Sequence, residues 1–155
     1  MVGEEITTTA GELIGLFLEK WVPPGLAPLE AALQIKSQGG LVYLEHAYDS
    51  SRRHLSEAAI EGIADHIDIV EVYNGRSDAK ANQRATDLCS TLGVAPGAGS
   101  DAHTVGEIGS VYVEMEDFVD ASSFLAGLHK ARVVKGRNKF LLTAEAKLRP
   151  NIRRG

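Results

Sequence analysis

Residues 39–46, Gly39-Gly40-Leu41-Val42-Tyr43-Leu44-Glu45-His46, decide how the rest of the chain is read. The two glycines stop what precedes them, and Leu41–Leu44 is a short apolar run rich in β-formers, as a buried strand requires. Upstream, Leu29, Ala32, Leu33 and Lys36 recur at helical spacing, so a helix is expected from about Pro28 to Gln38, with Pro28 suited to its first turn. Downstream, Ser56 suits the N-cap of a helix carrying Ile60 and Ile63 on one face.

The alternation then repeats. Ile67–Tyr73 reads as a strand and Ser77–Leu92 as a helix with Ala81, Ala85, Leu88 and Leu92 on one stripe and Gly93 as its stop. Val94–Gly99 and Val111–Met115 read as short strands, Phe118–Lys130 as a helix and Arg132–Val134 as a last strand. Strands separated by helices of this length imply parallel β/α units, so the expected fold class is α/β, with parallel strands and outer helices. The chain also opens almost directly on a strand-like segment around Glu5, whose unpaired edge would need covering. The domain is expected to span residues 1–136, followed by a C-terminal tail, 137–155, that frays.

A length of 155 residues suits one domain, and 44% apolar with 24% charged residues is ordinary for a globular protein. Sixteen Lys and Arg against twenty-one Asp and Glu leave a net charge of −5, which argues against non-specific binding to nucleic acid. The single cysteine, Cys89, excludes an internal disulfide framework and a Cys-rich zinc module, and its Ala/Leu surroundings suggest a buried, inert thiol. The longest apolar run, Leu13–Leu18, is far too short to cross a bilayer, and Met1-Val2-Gly3-Glu4-Glu5 lacks the cationic start of a secretory signal. A cytoplasmic location and no membrane partner are expected.

In parallel α/β folds reactive groups gather at the C-terminal ends of strands. The residues following the expected strands are His46-Ala47-Tyr48-Asp49, Asn74-Gly75-Arg76 and Ser100-Asp101-Ala102-His103-Thr104, while the opening segment offers Glu5 and Glu12. Imidazole with carboxylate is a donor set that suits Zn²⁺, Mn²⁺ or Fe²⁺. Taken singly, each has a plainer explanation. His46 can be a hydrogen-bonded loop residue, Asp101 a turn cap, and Glu5 and Glu12 solvated charges. His54, His66 and His129 fall in expected helices or at their edges and are read as structural.

Several stretches resemble the C-terminal two-thirds of a PHP domain, the polymerase and histidinol phosphatase superfamily of metal-dependent phosphoesterases. They are Gly3-Glu4-Glu5-Ile6-Thr7-Thr8, Gly11-Glu12-Leu13-Ile14-Gly15-Leu16-Phe17-Leu18, Gly39–Tyr43 running into His46, Glu71–Arg76, Asn82, and Ala98–Thr104 followed by Glu107-Ile108-Gly109. The resemblance implies a distorted (β/α)7-type barrel, here incomplete, with metal ions at the strand C-termini. It implies Glu5 as a metal-bridging carboxylate, Glu12 at a position that is His in some members, His46 completing that site, Asp101 as a first-metal ligand and His103 as a third-metal ligand. Asn74 and Arg76 are implied to orient a substrate phosphate, with Arg52 or Arg53 as weaker candidates, because a guanidinium fork matches phosphate oxygens.

The family's opening strands, bearing His-x-His and a further His, have no counterpart in the sequence. Only Glu5, Glu12 and His46 then keep a three-ligand set, so one occupied divalent site (Zn, Mn or Fe) is expected. The function expected is hydrolysis of phosphomonoesters or nucleotide phosphates, with a phosphorylated small molecule or nucleotide as substrate. The alternative is a catalytically impaired remnant that acts as a binding or assembly module. Pairing of the open sheet edge with a second copy makes a homodimer the expected assembly.

Overall fold

The computed structural model of the protein describes residues 1–136, and the tail expected at 137–155 lies outside them. The chain begins with a hairpin of β1 (Gly3–Thr8) and β2 (Gly11–Leu16), paired from Gly3↔Leu16 to Thr8↔Gly11. Only Thr9 and Ala10 connect them, a loop that can join antiparallel strands alone. Thr8 closes the turn by donating its hydroxyl to the Gly11 carbonyl at 2.6 Å. Gly11 has φ 139°, and a Cβ there would stand 2.7 Å from the His54 carbonyl, so only glycine fits.

Three β/α units follow. Helix α1 (Pro28–Ser37) leads to β3 (Leu41–Leu44), and a short α2 (Glu57–Glu61), capped by Ser56 accepting from the Ala59 amide, leads to β4 (Ile69–Asn74). Helix α3 (Ala79–Leu92) is capped by Asp78 and stopped by left-handed Gly93 at φ 68°, and it leads to β5 (Ala95–Gly99). β6 (Val111–Glu114), α4 (Ala121–Leu128, capped by Asp120) and β7 (Arg132–Lys135) complete the order.

The α/β class with outer helices is present, whereas the expectation of parallel strands throughout needs correcting. Among the described residues the sheet has five strands in the order β1-β2-β3-β4-β5, of which only β3, β4 and β5 run parallel. β6 and β7 form a separate antiparallel pair, and no barrel closes. The two-residue turn of the hairpin forces the first reversal, and the apolar run Leu13–Leu18 is largely strand β2. The helices expected from Ser77 and Phe118 start later, at Ala79 and Ala121, because Asp78 and Asp120 act as their caps. The edge of β1 is covered in part by the chain itself: Gly25 donates its amide to the Thr7 carbonyl at 2.8 Å and Thr9 donates to Leu26 at 2.9 Å.

The alternation of side chains divides the sheet into two unlike faces. One is apolar: Ile6, Leu13, Val42, Leu44 and Val70 pack with Ala31, Ala32 and Ile35 of α1, Ile60 of α2 and Ala85 and Cys89 of α3. Leu13 is wholly buried there, so Leu13→Ala would cost about 2–5 kcal/mol. The other face is split along its length. At the N-terminal ends of the parallel strands, Leu41, Ile69 and Ala95 are covered by Phe124 and Leu128 of α4, with Leu16, Phe17 and Phe118 against them. Phe118 and Phe124 meet edge to face with ring centroids 4.8 Å apart. The C-terminal ends of the same strands carry charge.

Candidate metal centre

The polar half of that face is assembled by register. Thr7 pairs with Glu12, so Glu12 shares the β1 face that carries Glu5, two residues before Thr7. Ile14 pairs with Tyr43, which carries the same face onto β3, and Glu45 follows Tyr43 by two. Tyr43 pairs with Ile69, placing Glu71 of β4 on it as well. β5 supplies no side chain where the face would be crowded. A Cβ at Gly97 would stand 2.5 Å from the Tyr43 ring, and one at Gly99 would stand 3.0 Å from Glu71 Oε1. Asp101 then enters from the loop after β5, with φ 47°.

Burial and like charge define the electrostatics. The Glu45 carboxyl is pushed up to about 9, first by burial and then by the negative charges of Glu5, Glu71, Glu12 and Asp101. It is therefore protonated at neutral pH. Burial pushes the His46 imidazole below its ordinary value, against the pull of Asp101, Glu12 and Glu5. His46 is thus the neutral form that ligates metals, and its 3.5 Å approach to Glu45 Oε2 is a contact of two uncharged groups. Glu71 is raised by burial, opposed by hydrogen bonds from Asn74 Nδ2 and from the His46 amide, each at 2.9 Å.

The expected ligands fall into two groups. Glu12 Oε2 lies 4.0 Å from His46 Nε2, and Glu5 is close enough for its charge to act on both Glu45 and His46. Asp101 and His103 form the second group, with Asp101 Oδ1 3.5 Å from His103 Nδ1, and Asp101 also acts on Glu45, His46 and Glu71. His103 is half exposed, while Glu12, Glu45, His46 and Asp101 are largely shielded.

Asn74 is fully engaged within the protein. It donates to Glu71 and accepts from the amides of Arg76 and Ser77, and its own amide donates to Asn82 Oδ1. Arg76 pairs with Glu107 at 2.8 Å, and Glu107 also accepts from the amides of His103 and Thr104. The guanidinium deepest in the cluster is that of Arg52, 2.8 Å from Asp101 Oδ2, whereas Arg53 is two-thirds exposed and 3.5 Å from Glu12.

Among the described residues, the buried atoms Glu45 Oε1 and His46 Nδ1 have no hydrogen-bond partner, and Asp101 Oδ2 has only its ion pair with Arg52. A buried polar atom left unpaired is costly, so two such atoms beside a buried carboxylate mark a place where a ligand belongs. Oxygen and imidazole nitrogen are the donors a hard or borderline divalent cation takes. The donor chemistry fits such an ion, although among the described residues no three His, Cys, Asp or Glu side chains stand together as a ready-made cage. Glu45 and Glu71 were not singled out from the sequence as site residues. The signal was present in each as a carboxylate placed within or directly after an apolar strand.

Residues 79–133, from α3 almost to the end of β7, match the family model described as PHP-associated. Over those residues the chain is similar to PHP-associated domains. It is 32% identical over 156 residues to MJ0417, an uncharacterized protein of Methanocaldococcus jannaschii, covering 96% of this chain and 65% of that protein. A second uncharacterized protein of that archaeon, MJ1587, is 38% identical over 74 residues, covering 48% of the chain and 43% of the relative. The chain therefore spans just under two thirds of the first relative's length and less than half of the second's. PsfC from Pseudomonas syringae PB-5123 superposes with a TM-score of 0.68 over 94% of this chain and 63% of its own, at 14% identity, which is a likeness of fold. No helix among the described residues is long and apolar enough to cross a membrane.

His54 and the cysteine have structural surroundings. His54 Nδ1 contacts the Asp49 carbonyl at 2.8 Å, and Cys89 is buried, with burial pushing its thiol up.

Proposed function

We propose that this chain is a PHP-type metal-dependent phosphoesterase, with Glu5, Glu12, His46, Asp101 and His103 as the residues that hold a divalent cation. The observation that carries the reading is the pair of unpartnered buried atoms Glu45 Oε1 and His46 Nδ1, at the end of the sheet where carboxylates crowd. Zn²⁺, Mn²⁺ and Fe²⁺ all suit the donors. A bound divalent ion would supply Lewis acidity and lower the pKa of its water.

The chain's own residues do the rest. Glu71 fixes the His46 backbone and thereby the direction of the imidazole. Asn74 holds the loop that carries Arg76, leaving Arg76 and Arg52 as the cations able to orient a phosphate. α4 and the aromatic cluster close the opposite end of the face to water. Phosphomonoesters and nucleotide phosphates are the proposed substrates, because a single phosphoryl group meets the available cations.

A binding or assembly module is the competing reading. It is favoured by the lack of a ready-made three-donor cage and by the ion pair that engages Asp101. Pairing of two copies along β1 would accompany it, and sedimentation would show a dimer.

Turnover of a phosphomonoester and nucleotide panel with and without Mn²⁺ or Zn²⁺ separates the two. Metal-dependent hydrolysis that His46→Ala reduces by about 100-fold or more supports the enzyme. Zero turnover by metal-loaded protein across the panel would leave only the module.

A further inference from the structure

Arg52 stands where a cation would bind. Its Nη2 lies 2.8 Å from Asp101 Oδ2, and its Nη1 lies 3.4 Å from His103 Nε2, so one guanidinium spans both expected ligands of the second group. The two contacts are unlike a finished structural ion pair. Asp101 Oδ2 is buried and within ion-pair range of Arg52, yet no hydrogen bond is aligned onto it. Asp101 is held at φ 47°, a left-handed conformation in which a non-glycine residue is strained.

The backbone beneath Arg52 is fixed. Its amide donates to the Asp49 carbonyl at 3.0 Å, and the buried Asp49 carboxylate accepts from the hydroxyls of Ser51 and Ser77, each at 2.6 Å. That carboxyl is pushed up by burial but held below its usual range overall by those hydrogen bonds and Arg52. The loop after β3 is thus tied to the loop after β4, and the freedom that remains belongs to the Arg52 side chain, about one-fifth exposed.

We infer that Arg52 is an exchangeable internal counter-ion: its guanidinium neutralises Asp101 and faces His103 in the metal-free protein, gives up Asp101 to an incoming divalent cation, and then holds the substrate phosphate. The role rests on the metal-centre reading above. The physical basis is that one carboxylate oxygen cannot serve a guanidinium and a metal at full strength together. A guanidinium released beside the site keeps its charge and its fork for an anion. No group enters or leaves by a covalent step.

The test is Mn²⁺ titration calorimetry and thermal unfolding on the full chain, comparing the natural protein with Arg52→Gln and Arg52→Lys. Arg52→Gln is expected to bind Mn²⁺ about tenfold more tightly and to gain a larger rise in Tm on Mn²⁺ addition. Its Mn²⁺-loaded form is expected to bind inorganic phosphate about tenfold more weakly. Arg52→Lys keeps the charge without the fork, so its Mn²⁺ affinity should fall between the two, and it serves alone if Arg52→Gln does not fold. Equal or weaker Mn²⁺ binding by Arg52→Gln would overturn the exchange while leaving the metal centre standing. Tighter Mn²⁺ binding with unchanged phosphate affinity would overturn its phosphate-holding half. No Mn²⁺ binding by any of the proteins would overturn the metal centre and the exchange together.

Discussion

The amide of His46 donates to Glu71 Oε2 at 2.9 Å, joining the end of β3 to the middle of β4 at the point where the chain turns into the candidate site. His46 has φ 30°, so its backbone sits in a conformation that the fold must hold against its own preference. The Glu71 carboxylate supplies that hold while accepting from Asn74 and Tyr43.

Glu71→Ala should therefore act on both stability and site. It leaves the buried His46 amide and Asn74 Nδ2 without their acceptor, at a cost of about 2–4 kcal/mol. Urea unfolding checks it. A variant as stable as the natural protein would show that the carboxylate does not anchor the strand ends.

Gly97→Ala tests the face on which the charges lie. A Cβ at that position would meet the Tyr43 ring at 2.5 Å, and Tyr43 is half-buried beside Glu71 and Ile69. The overpacking should cost about 1–3 kcal/mol in a thermal or urea melt. An unchanged melting temperature would mean that the ring moves freely.

The pH dependence of the metal-free protein follows from Glu45. Its folded carboxyl is raised to about 9, above the ordinary 4.5, so between these values the folded state keeps a proton that the unfolded state has lost. The contribution to stability is complete below about pH 4.5 and is lost as pH rises toward about 9. Glu45→Gln should flatten that decline and raise metal-free stability at the alkaline end. Melting temperatures across the range give the slope, and a parallel decline in the variant would assign it to other groups.

How far the sequence carried depended on which physical signal each residue left. Leu41–Leu44, the cap Ser56, the first-turn Pro28 and the left-handed stop at Gly93 were legible because each is a local preference expressed within a few residues. Strand direction is not local. Thr9-Ala10 carries no Gly or Pro to announce a tight turn, so β2 was read as an apolar run and the hairpin was missed. The expected ligands Glu12, His46 and Asp101 stood out as polar residues at strand mouths. Glu45 and Glu71 did not, because a carboxylate within or just after a strand looks solvent-facing until the register puts Glu71 opposite Gly97 and onto the face of Tyr43. Arg52 was visible only as one of two adjacent arginines, and its choice over Arg53 is a matter of tertiary geometry.

Metal ligation can be separated from folding by Glu12→Gln. The Glu12 side chain is held by Thr7 Oγ1 at 3.3 Å and approached by Arg53 at 3.5 Å, contacts at the surface end of the hairpin that an amide largely preserves. The fold should survive with a change below about 1 kcal/mol, while Mn²⁺ affinity falls by about tenfold or more. Calorimetry beside circular dichroism checks both halves, and undiminished Mn²⁺ affinity would remove Glu12 from the ligand set.

The most direct measurement is an anomalous difference map from crystals grown with Mn²⁺. A peak is expected at the C-terminal ends of β3, β4 and β5, with carboxylate oxygens of Glu12 or Asp101 and a nitrogen of His46 at bonding distance and the Arg52 guanidinium displaced from Asp101. A map with no peak there, from protein shown to retain this fold, would contradict the metal centre on which the proposed function depends.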